Sequence, residues 1–159
     1  MNKKTFFFLI VIIIGLCGCK KERVNENTIE TFSIDYELCS AWVDYSYKVT
    51  IENNGTMLTT ESRKMTNLLR QSNYHLNEYE VTLIKKELAH LSPIKINLRY
   101  GFGNDKPTDL PVTLMRYKTN FKSDSTTIYY PDKSELPQEL DTFLSILRQI
   151  ILKNDTIKN

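Results

Sequence analysis

Two cysteines near the start of the chain have the spacing that most suggests chemistry. Cys17 and Cys19 are separated by a single glycine. A metal site would need further ligands at regular spacing, and the remaining candidates are scattered: Cys39, His75 and His90. A disulfide between cysteines two residues apart is strained and uncommon. The spacing therefore argues against both a metal site and a disulfide, and no metal is expected.

The stretch before these cysteines has the layout of an export signal. Lys3 and Lys4 supply positive charge, and the run from Phe6 to Leu16 is apolar apart from Gly15. A helix of about 11 residues rises roughly 16 Å, which is far short of a hydrocarbon core of about 30 Å. That length is typical of the apolar core of a signal peptide. We expect this segment to direct export without spanning the membrane.

The residues Leu16-Cys17-Gly18-Cys19 resemble the lipobox of bacterial lipoproteins. The resemblance implies that residues 1–18 are a signal peptide, removed between Gly18 and Cys19, and that the Cys19 thiol carries a lipid. Cys17 is the poorer acceptor, because bulky Leu16 would then occupy the small-residue position. The alternatives are an uncleaved signal anchor and an ordinary secreted protein. The lipoprotein reading implies a membrane-anchored protein of the cell envelope, facing the periplasm or the exterior, with no cofactor besides its covalent lipid.

Residues 19–30 are polar and charged, and they predict a flexible tether between the lipid and the folded part. Lys20 follows the lipidated residue, which favours the outer membrane where the cell has one. From Cys19 onward, 19 acidic side chains are balanced by an equal number of basic ones. No basic field is left to attract nucleic acid. The expected partners are the membrane and a protein or envelope polymer.

Alternation of apolar and polar residues predicts β-strands in both halves of the folded part. The predicted strands occupy four segments, which are 32–38, 45–51, 111–119 and 125–130, and a further strand follows the Asn54-Gly55 turn. Residues 61–74 are polar and fit either a short helix or a further strand and loop. The first two strands and the last two are each close enough in sequence to pair with an antiparallel neighbour.

The pair Asn54-Gly55 is a strong hairpin signal, because both residues tolerate a positive φ. A two-residue loop at this point places Ile51 opposite Leu58 and Lys48 opposite Glu61. One pair is apolar and the other is oppositely charged, so both favour this register.

Two helices are predicted by their first residues and by their apolar stripes. Asn77 and Glu80 form the pattern of a capping box at the start of the first helix, which Pro93 ends. His90 falls in the last turn, where it is expected to interact with the helix dipole. Pro137 predicts the start of the second helix as its first residue.

These elements predict an α+β fold, with an antiparallel sheet of four or five strands and two helices packed on one face. We expect one domain over residues 31–153 and a polar tail over 154–159. The layout is also similar to small bacterial lipoprotein domains of unknown function, with Leu38-Cys39-Ser40-Ala41 and Thr108-Asp109-Leu110-Pro111 at matching places. The family's fuller Cys-x-Gly-x-Cys-Pro turn is absent, and the likeness implies no catalytic residue.

Aromatic residues are the candidate binding surface, and they are Trp42, Tyr45, Tyr47 and Phe102. The alternative is that the alternating tyrosines pack in the core or pair across strands. Cys39 is the one thiol left after processing, and we expect it to be a small buried apolar residue. The alternatives for this cysteine are an intermolecular disulfide and a reactive thiol.

The sequence contains no close pair of carboxylates and no recognisable nucleophile with its base, so catalysis is not expected. It favours an envelope lipoprotein whose small non-catalytic domain binds a protein or an envelope polymer. The alternative is an immunity or inhibitor lipoprotein that neutralises a toxin or lytic enzyme acting on the envelope. An enzyme would instead place Cys39, His75 or His90 in a pocket.

Overall fold

The computed structural model describes residues 28–40, 44–101, 111–129 and 136–156. The predicted lipobox with Cys19, the predicted signal peptide and most of the predicted tether lie outside these residues. The strands of the described part are β1 (Phe32–Ser40), β2 (Tyr45–Glu52), β3 (Thr56–Arg63), β4 (Leu68–His75), β5 (Arg99–Tyr100), β6 (Val112–Thr119) and β7 (Ser123–Tyr129). The helices are α1 (Glu78–Leu91) and α2 (Gln138–Thr156).

The seven strands form one sheet in the order β4-β3-β2-β1-β6-β7-β5. Neighbours are antiparallel except for β5, which runs parallel to β7. The α+β class is therefore confirmed. The predicted sheet of four or five antiparallel strands is wrong, because β4 and the short β5 add one strand at each edge and β5 makes the sheet mixed.

The ambiguous segment 61–74 forms the second half of a hairpin. A short 3-10 turn spans Lys64–Thr66, and Asn67 then adopts a positive φ of 50°. Asparagine tolerates this conformation better than most residues. The following strand β4 is exposed along most of its length, with Tyr74 as its only buried residue. An edge strand that buries so little has no apolar alternation, which explains why the sequence pattern did not identify it.

The loop between β2 and β3 contains three residues, 53–55, one more than predicted. The Gly55 N–H donates to the Glu52 carbonyl oxygen at 2.9 Å, and Gly55 has a positive φ of 84°. This arrangement is a tight turn followed by a glycine in the left-handed conformation, which is the usual three-residue hairpin loop. The Gly55 carbonyl also accepts from the Leu76 N–H at 2.8 Å, so the turn contacts the segment that leads into α1.

The longer loop shifts the register of the hairpin by one residue. Ile51 lies opposite Met57 and Lys48 opposite Thr60, so the predicted pairing is wrong. A shift of one residue moves every side chain of a strand to the other face. Met57 is consequently buried, whereas Leu58 lies exposed on the opposite face of the sheet.

Both helices pack on one face of the sheet, here called the inner face. The buried residues of the strands and of the two helices belong to a single hydrophobic cluster. Its largest fully buried side chains are Phe143, Ile34, Ile51, Met57, Leu76, Ile84, Leu88, Leu91, Met115, Leu140, Leu144 and Leu147. Among the described residues, neither helix is long and apolar enough to cross a membrane.

The predicted helix boundaries are largely confirmed. The Asn77 Oδ1 atom accepts from the Glu80 N–H at 2.9 Å, and the Glu80 carboxylate accepts from the Asn77 N–H at 3.0 Å, so the capping box is present. Pro137 stands directly before α2, and its carbonyl accepts from the Asp141 N–H at 3.0 Å. Helix α2 continues to Thr156, so the first residues of the predicted polar tail are helical.

The sheet has two ends, defined here by β1. The near end is where the chain enters at Phe32, and the far end is where β1 finishes at Ser40. Antiparallel pairing places Glu52 and Thr119 at the near end and Tyr45 and Val112 at the far end.

The chain is already folded before it reaches β1. Ile29 is buried, so the predicted flexible tether over residues 19–30 ends earlier than expected. The Glu30 N–H donates to the Asn120 side chain at 3.2 Å, and that side chain donates to the Thr28 carbonyl oxygen at 3.4 Å. Lys85 of α1 donates to the Glu30 carbonyl oxygen at 3.2 Å. The entering chain is thereby fixed to the near end of the sheet.

Candidate binding cleft

An open cleft of about 550 Å³ lies on the inner face at the far end of the sheet. Helix α2 forms one wall, and the ends of β1 and β2 form the floor. The lining residues are Tyr36, Leu38, Tyr45, Tyr47, Pro111, Arg148, Ile151, Leu152 and Asp155. The cleft exists because the strands extend beyond the part of the sheet that the helices cover.

The floor of the cleft follows from the alternation of side chains along two paired strands. Leu38 lies directly opposite Tyr47, and Tyr36 lies opposite Val49. Residues two apart share a face of a strand, so Tyr36 and Leu38 point the same way, as do Tyr45 and Tyr47. Tyr36 is buried by the helices, whereas the other three are only partly covered. These three residues therefore offer apolar surface to a ligand.

The wall of the cleft is one side of α2. Arg148, Ile151, Leu152 and Asp155 are three and four residues apart, which places them on one side of a helix. Ile151 is buried against the core, whereas Leu152 is 62% exposed. A large exposed aliphatic side chain beside partly covered tyrosines is the usual composition of a site that takes up an apolar group.

Polar groups in the cleft are held by one another. Tyr47 donates its hydroxyl to Asp155 at 2.8 Å, and Tyr74 donates to the second oxygen of the same carboxylate at 2.5 Å. Burial, followed by the hydrogen bond to Asp155, raises the pKa of Tyr47 far above its usual range. The Arg148 Nε donates to the Tyr36 hydroxyl at 3.2 Å. These contacts fix the orientation of the tyrosine rings, and the raised pKa keeps the Tyr47 hydroxyl protonated.

A second cation lies at the rim of the cleft. The Arg63 guanidinium is 5.5 Å from the centre of the Tyr45 ring, within the range of a cation–π contact. Arg63 also contacts Glu61 at 3.0 Å. Burial and then the Glu61 carboxylate raise the pKa of Tyr45. The rim therefore carries both signs of charge beside the apolar floor.

The sequence identified part of this lining. Tyr45 and Tyr47 both line the cleft, and both are partly buried. Each therefore packs against the sheet and also presents part of its ring to the cleft, which are the two alternatives that the sequence left open. Trp42 and Phe102 lie outside the described residues. Leu38 is the last residue of the first predicted strand, and the sequence assigned no binding role to it.

The α2 residues Arg148, Leu152 and Asp155 were missed entirely. Their spacing of four and three residues forms a second stripe beside the apolar stripe of α2. This stripe was the available signal, but only the tertiary structure shows what it faces.

Cys39 lies on the outer face of the sheet, away from the cleft. It is partly exposed, so the expectation of a buried residue is wrong. The reason is that Cys39 directly follows Leu38 in β1, so its side chain points to the opposite face of the sheet. Its S–H donates to the Glu37 carboxylate at 3.3 Å, and the Ser46 hydroxyl donates to the same oxygen at 2.8 Å. Burial, followed by Glu37, raises the pKa of Cys39 to about 11. The thiol is therefore protonated at neutral pH.

The two histidines are remote from this cysteine and from each other. His75 ends β4 at the near end of the sheet, while His90 lies in the last turn of α1, as predicted. The His90 Nδ1 atom is 3.3 Å from the Glu87 carboxylate. Within the described ranges, no group of three or more His, Cys, Asp and Glu side chains is arranged to hold a metal ion.

Comparison with models of known protein families and with curated proteins finds no match to this chain.

Proposed function

We propose that this chain is a membrane-anchored lipoprotein of the cell envelope whose folded domain binds a protein partner through the cleft. The observation that supports binding is the lining of the cleft, in which Leu38, Tyr45, Tyr47 and Leu152 offer apolar surface in an open concavity. The proposal assigns recognition, and no chemical step, to this site.

The composition of the cleft favours an apolar side chain of a protein as the group that enters it. Full burial of a leucine or phenylalanine side chain contributes about 1.5–3 kcal/mol. Tyrosine is enriched among the residues that dominate protein interfaces, because it combines a large apolar ring with a polar end. The fixed rings of Tyr36 and Tyr47 lose little conformational freedom on binding, which favours affinity.

The position of the cleft fits an anchored protein. The anchor proposed at Cys19 precedes the near end, where the chain enters at Phe32. Leu38 is six residues further along β1, which corresponds to about 20 Å. A lipid attached before the near end therefore leaves the cleft directed away from the membrane, where a partner in the envelope can reach it.

The anchor is tested by the mass of the mature amino terminus. Full-length protein produced in a bacterium and its Cys19→Ala variant are extracted from membranes and digested, and the N-terminal peptide is measured. We expect an acylated peptide that begins at Cys19, and no acylated peptide in the variant. An unmodified Cys19 in a membrane-extracted protein would contradict the anchor.

Binding is tested by photo-crosslinking from inside the cleft. A photoreactive phenylalanine analogue replaces Leu152 in one version and Leu69 in another, because both are exposed leucines, at 62% and 67%, and Leu69 lies on β4 away from the cleft. Irradiated envelopes are then analysed for crosslinked proteins. We expect a discrete protein adduct from position 152 alone, which Tyr47→Asp removes.

The outcomes of this experiment separate the possible partners. Adducts of equal yield from both positions, or none from position 152, would contradict a binding role for the cleft. Crosslinking of position 152 to envelope polysaccharide would assign the cleft to a polymer instead of a protein. If the crosslinked protein is a lytic enzyme whose activity falls on binding, the domain is an inhibitor.

A further inference from the structure

The near end of the sheet exposes two aromatic side chains, one on each side of the entering chain. Phe121 is 55% exposed and Tyr79 is 73% exposed. They are the only aromatic residues among the exposed large hydrophobic residues of the described ranges. Tyrosine and tryptophan are enriched at the boundary between lipid and water, and phenylalanine is typical of apolar surfaces that insert there. Both side chains lie at the near end of the sheet, which is also the end that the proposed anchor precedes.

Phe121 is held on a rigid turn between β6 and β7. The Thr119 hydroxyl accepts from the N–H groups of Phe121 at 3.2 Å and Lys122 at 3.0 Å, and the Thr119 N–H donates to the Lys122 carbonyl oxygen at 2.7 Å. The neighbouring Asn120 is bonded to the entering chain. The turn is thus closed by its own hydrogen bonds, and it presents an apolar ring to the outside with little entropy to lose on contact.

Tyr79 is held at the start of α1 on the other side. The capping box fixes this first turn, and the preceding residue Leu76 is bonded to the loop at Gly55, which lies at the near end. That loop starts β3, and Phe121 follows β6, which is three strands away in the sheet. Strands are spaced about 4.8 Å apart, so the two supports are roughly 15 Å apart. The entering strand β1 lies between them.

The length of the chain before the near end sets how far the lipid can be. Residues 20–27 separate Cys19 from Thr28, and eight residues extend at most about 26–29 Å. A domain on so short a tether has a high effective concentration at the membrane, so a weak contact suffices to hold it there. The near end carries both signs of charge, so this contact depends on the aromatic side chains; the exposed charged residues there are Lys95, Lys118, Glu30, Glu52 and Glu78.

We infer that the near end docks on the lipid surface through Phe121 and Tyr79, with the anchored chain between them. This three-point contact fixes the orientation of the domain and holds the cleft away from the bilayer. The inference rests on the lipid anchor of the proposed function, and it does not depend on which partner enters the cleft.

The test uses single tryptophan reporters in the lipidated full-length protein, with Trp42→Phe as background. Phe121→Trp and Tyr79→Trp report on the near end. Leu69→Trp is the control, because Leu69 lies near the start of β4, at the far end of the sheet, and is 67% exposed. Each protein is reconstituted into vesicles of phosphatidylcholine and phosphatidylglycerol that contain brominated lipid. We expect blue-shifted emission and strong quenching for both near-end reporters, and neither for the control.

Two further variants test whether an introduced tryptophan creates a membrane contact of its own. Phe121→Ser in the Tyr79→Trp protein, and Tyr79→Ser in the Phe121→Trp protein, should each lower the quenching of the remaining reporter. Quenching that is equal at all three positions, or absent at both near-end positions in protein that sediments with the vesicles, would overturn the docking and leave the anchor intact. Protein that does not sediment with the vesicles would overturn both.

Discussion

Replacement of Glu80 tests the contact that joins the two helices. Glu80 is only 4% exposed. Its carboxylate accepts from the Asn77 N–H at 3.0 Å, from Lys153 at 2.7 Å and from the Asn154 side chain at 3.2 Å. The start of α1 is thereby connected to the last turns of α2. We expect Glu80→Ala to destabilise the domain more than any exposed acid on the same helix.

The magnitude follows from the individual contacts. A hydrogen bond to a charged group contributes about 1.5–3 kcal/mol when both partners are buried. The Lys153 side chain is 59% exposed, so its share lies near the range for surface ion pairs, at most about 1 kcal/mol. Asn154 keeps a second bond, to the Ile150 carbonyl oxygen at 2.9 Å, after Glu80 is removed. We therefore expect Glu80→Ala to lower the free energy of unfolding by about 2–3 kcal/mol.

The matched control is Glu78→Ala, which removes an exposed acid from the same first turn of α1. It loses only the interaction with the helix dipole, which contributes about 0.3–1 kcal/mol. Urea denaturation followed by circular dichroism measures both variants against the parent protein. Equal unfolding midpoints for Glu80→Ala and Glu78→Ala would refute the reasoning.

The pH dependence gives an independent check. Burial opposes ionisation of Glu80, but the hydrogen bonds from Lys153, the Asn77 N–H and Asn154 outweigh it and lower the pKa below that of the unfolded chain. A lowered pKa stabilises the folded state above the unfolded pKa, and this contribution is lost as the pH falls through the folded value. The difference between the parent protein and Glu80→Ala should therefore be full at pH 7 and shrink below about pH 4.3, the ordinary value for glutamate.

Three further predictions concern single positions. The pKa of Cys39 at about 11 keeps its thiolate scarce, so iodoacetamide at pH 8 should alkylate it roughly a hundredfold more slowly than a free thiol, with full reactivity on unfolding as the control. Gly101→Ala should destabilise the domain more than Gly55→Ala, because the added Cβ would lie 2.6 Å from a backbone oxygen at the first and 3.0 Å at the second; thermal denaturation ranks them. Tyr74→Phe removes a hydrogen bond to Asp155 and should cost about 1.5–3 kcal/mol in urea denaturation; no change would show that the bond is unimportant.

The helices and the inner strands could be predicted because their signals are local. A capping box at Asn77 and Glu80 requires only residues three apart, and the alternation that identifies β1 and β2 reflects burial on one face. The edge strands β4 and β5 carry no such signal, since β4 buries only Tyr74 and β5 is only two residues long. Their existence depends on pairing with a neighbour, which is a long-range property of the fold.

The register of the first hairpin shows how a strong local signal can still give a wrong structure. Asn54-Gly55 correctly predicted a tight turn, and the positive φ of Gly55 is present. The sequence did not determine whether the loop has two or three residues, because a glycine in the left-handed conformation suits both. The burial of Met57 decides for the longer loop, since the shorter one would turn Met57 outward and Leu58 into the core.

Some residues of the cleft follow a local sequence pattern, whereas others are brought there only by the tertiary structure. The sequence therefore revealed only the floor of the cleft. Tyr45 and Tyr47 belong to an alternating strand, so their shared face could be read directly. Leu152 and Asp155 face them only because α2 crosses the sheet at this point, and no spacing along the chain encodes that crossing. In the sequence, the wall of this cleft is therefore visible only as a second stripe on α2, beside its apolar stripe.

The direction of β1 relates the proposed anchor to the proposed site. The proposed lipid would precede Thr28 in sequence, and the entering chain is bonded to the near end of the sheet, so in an anchored protein β1 would run away from the membrane. In an antiparallel sheet the connections between strands alternate between the two ends. The turn after β6, which holds Phe121, lies at the near end and would therefore face the membrane, whereas the start of β2 with Tyr45 lies at the far end. An anchor at Cys19 would thus determine which end of the sheet meets lipid and which end is left for a partner.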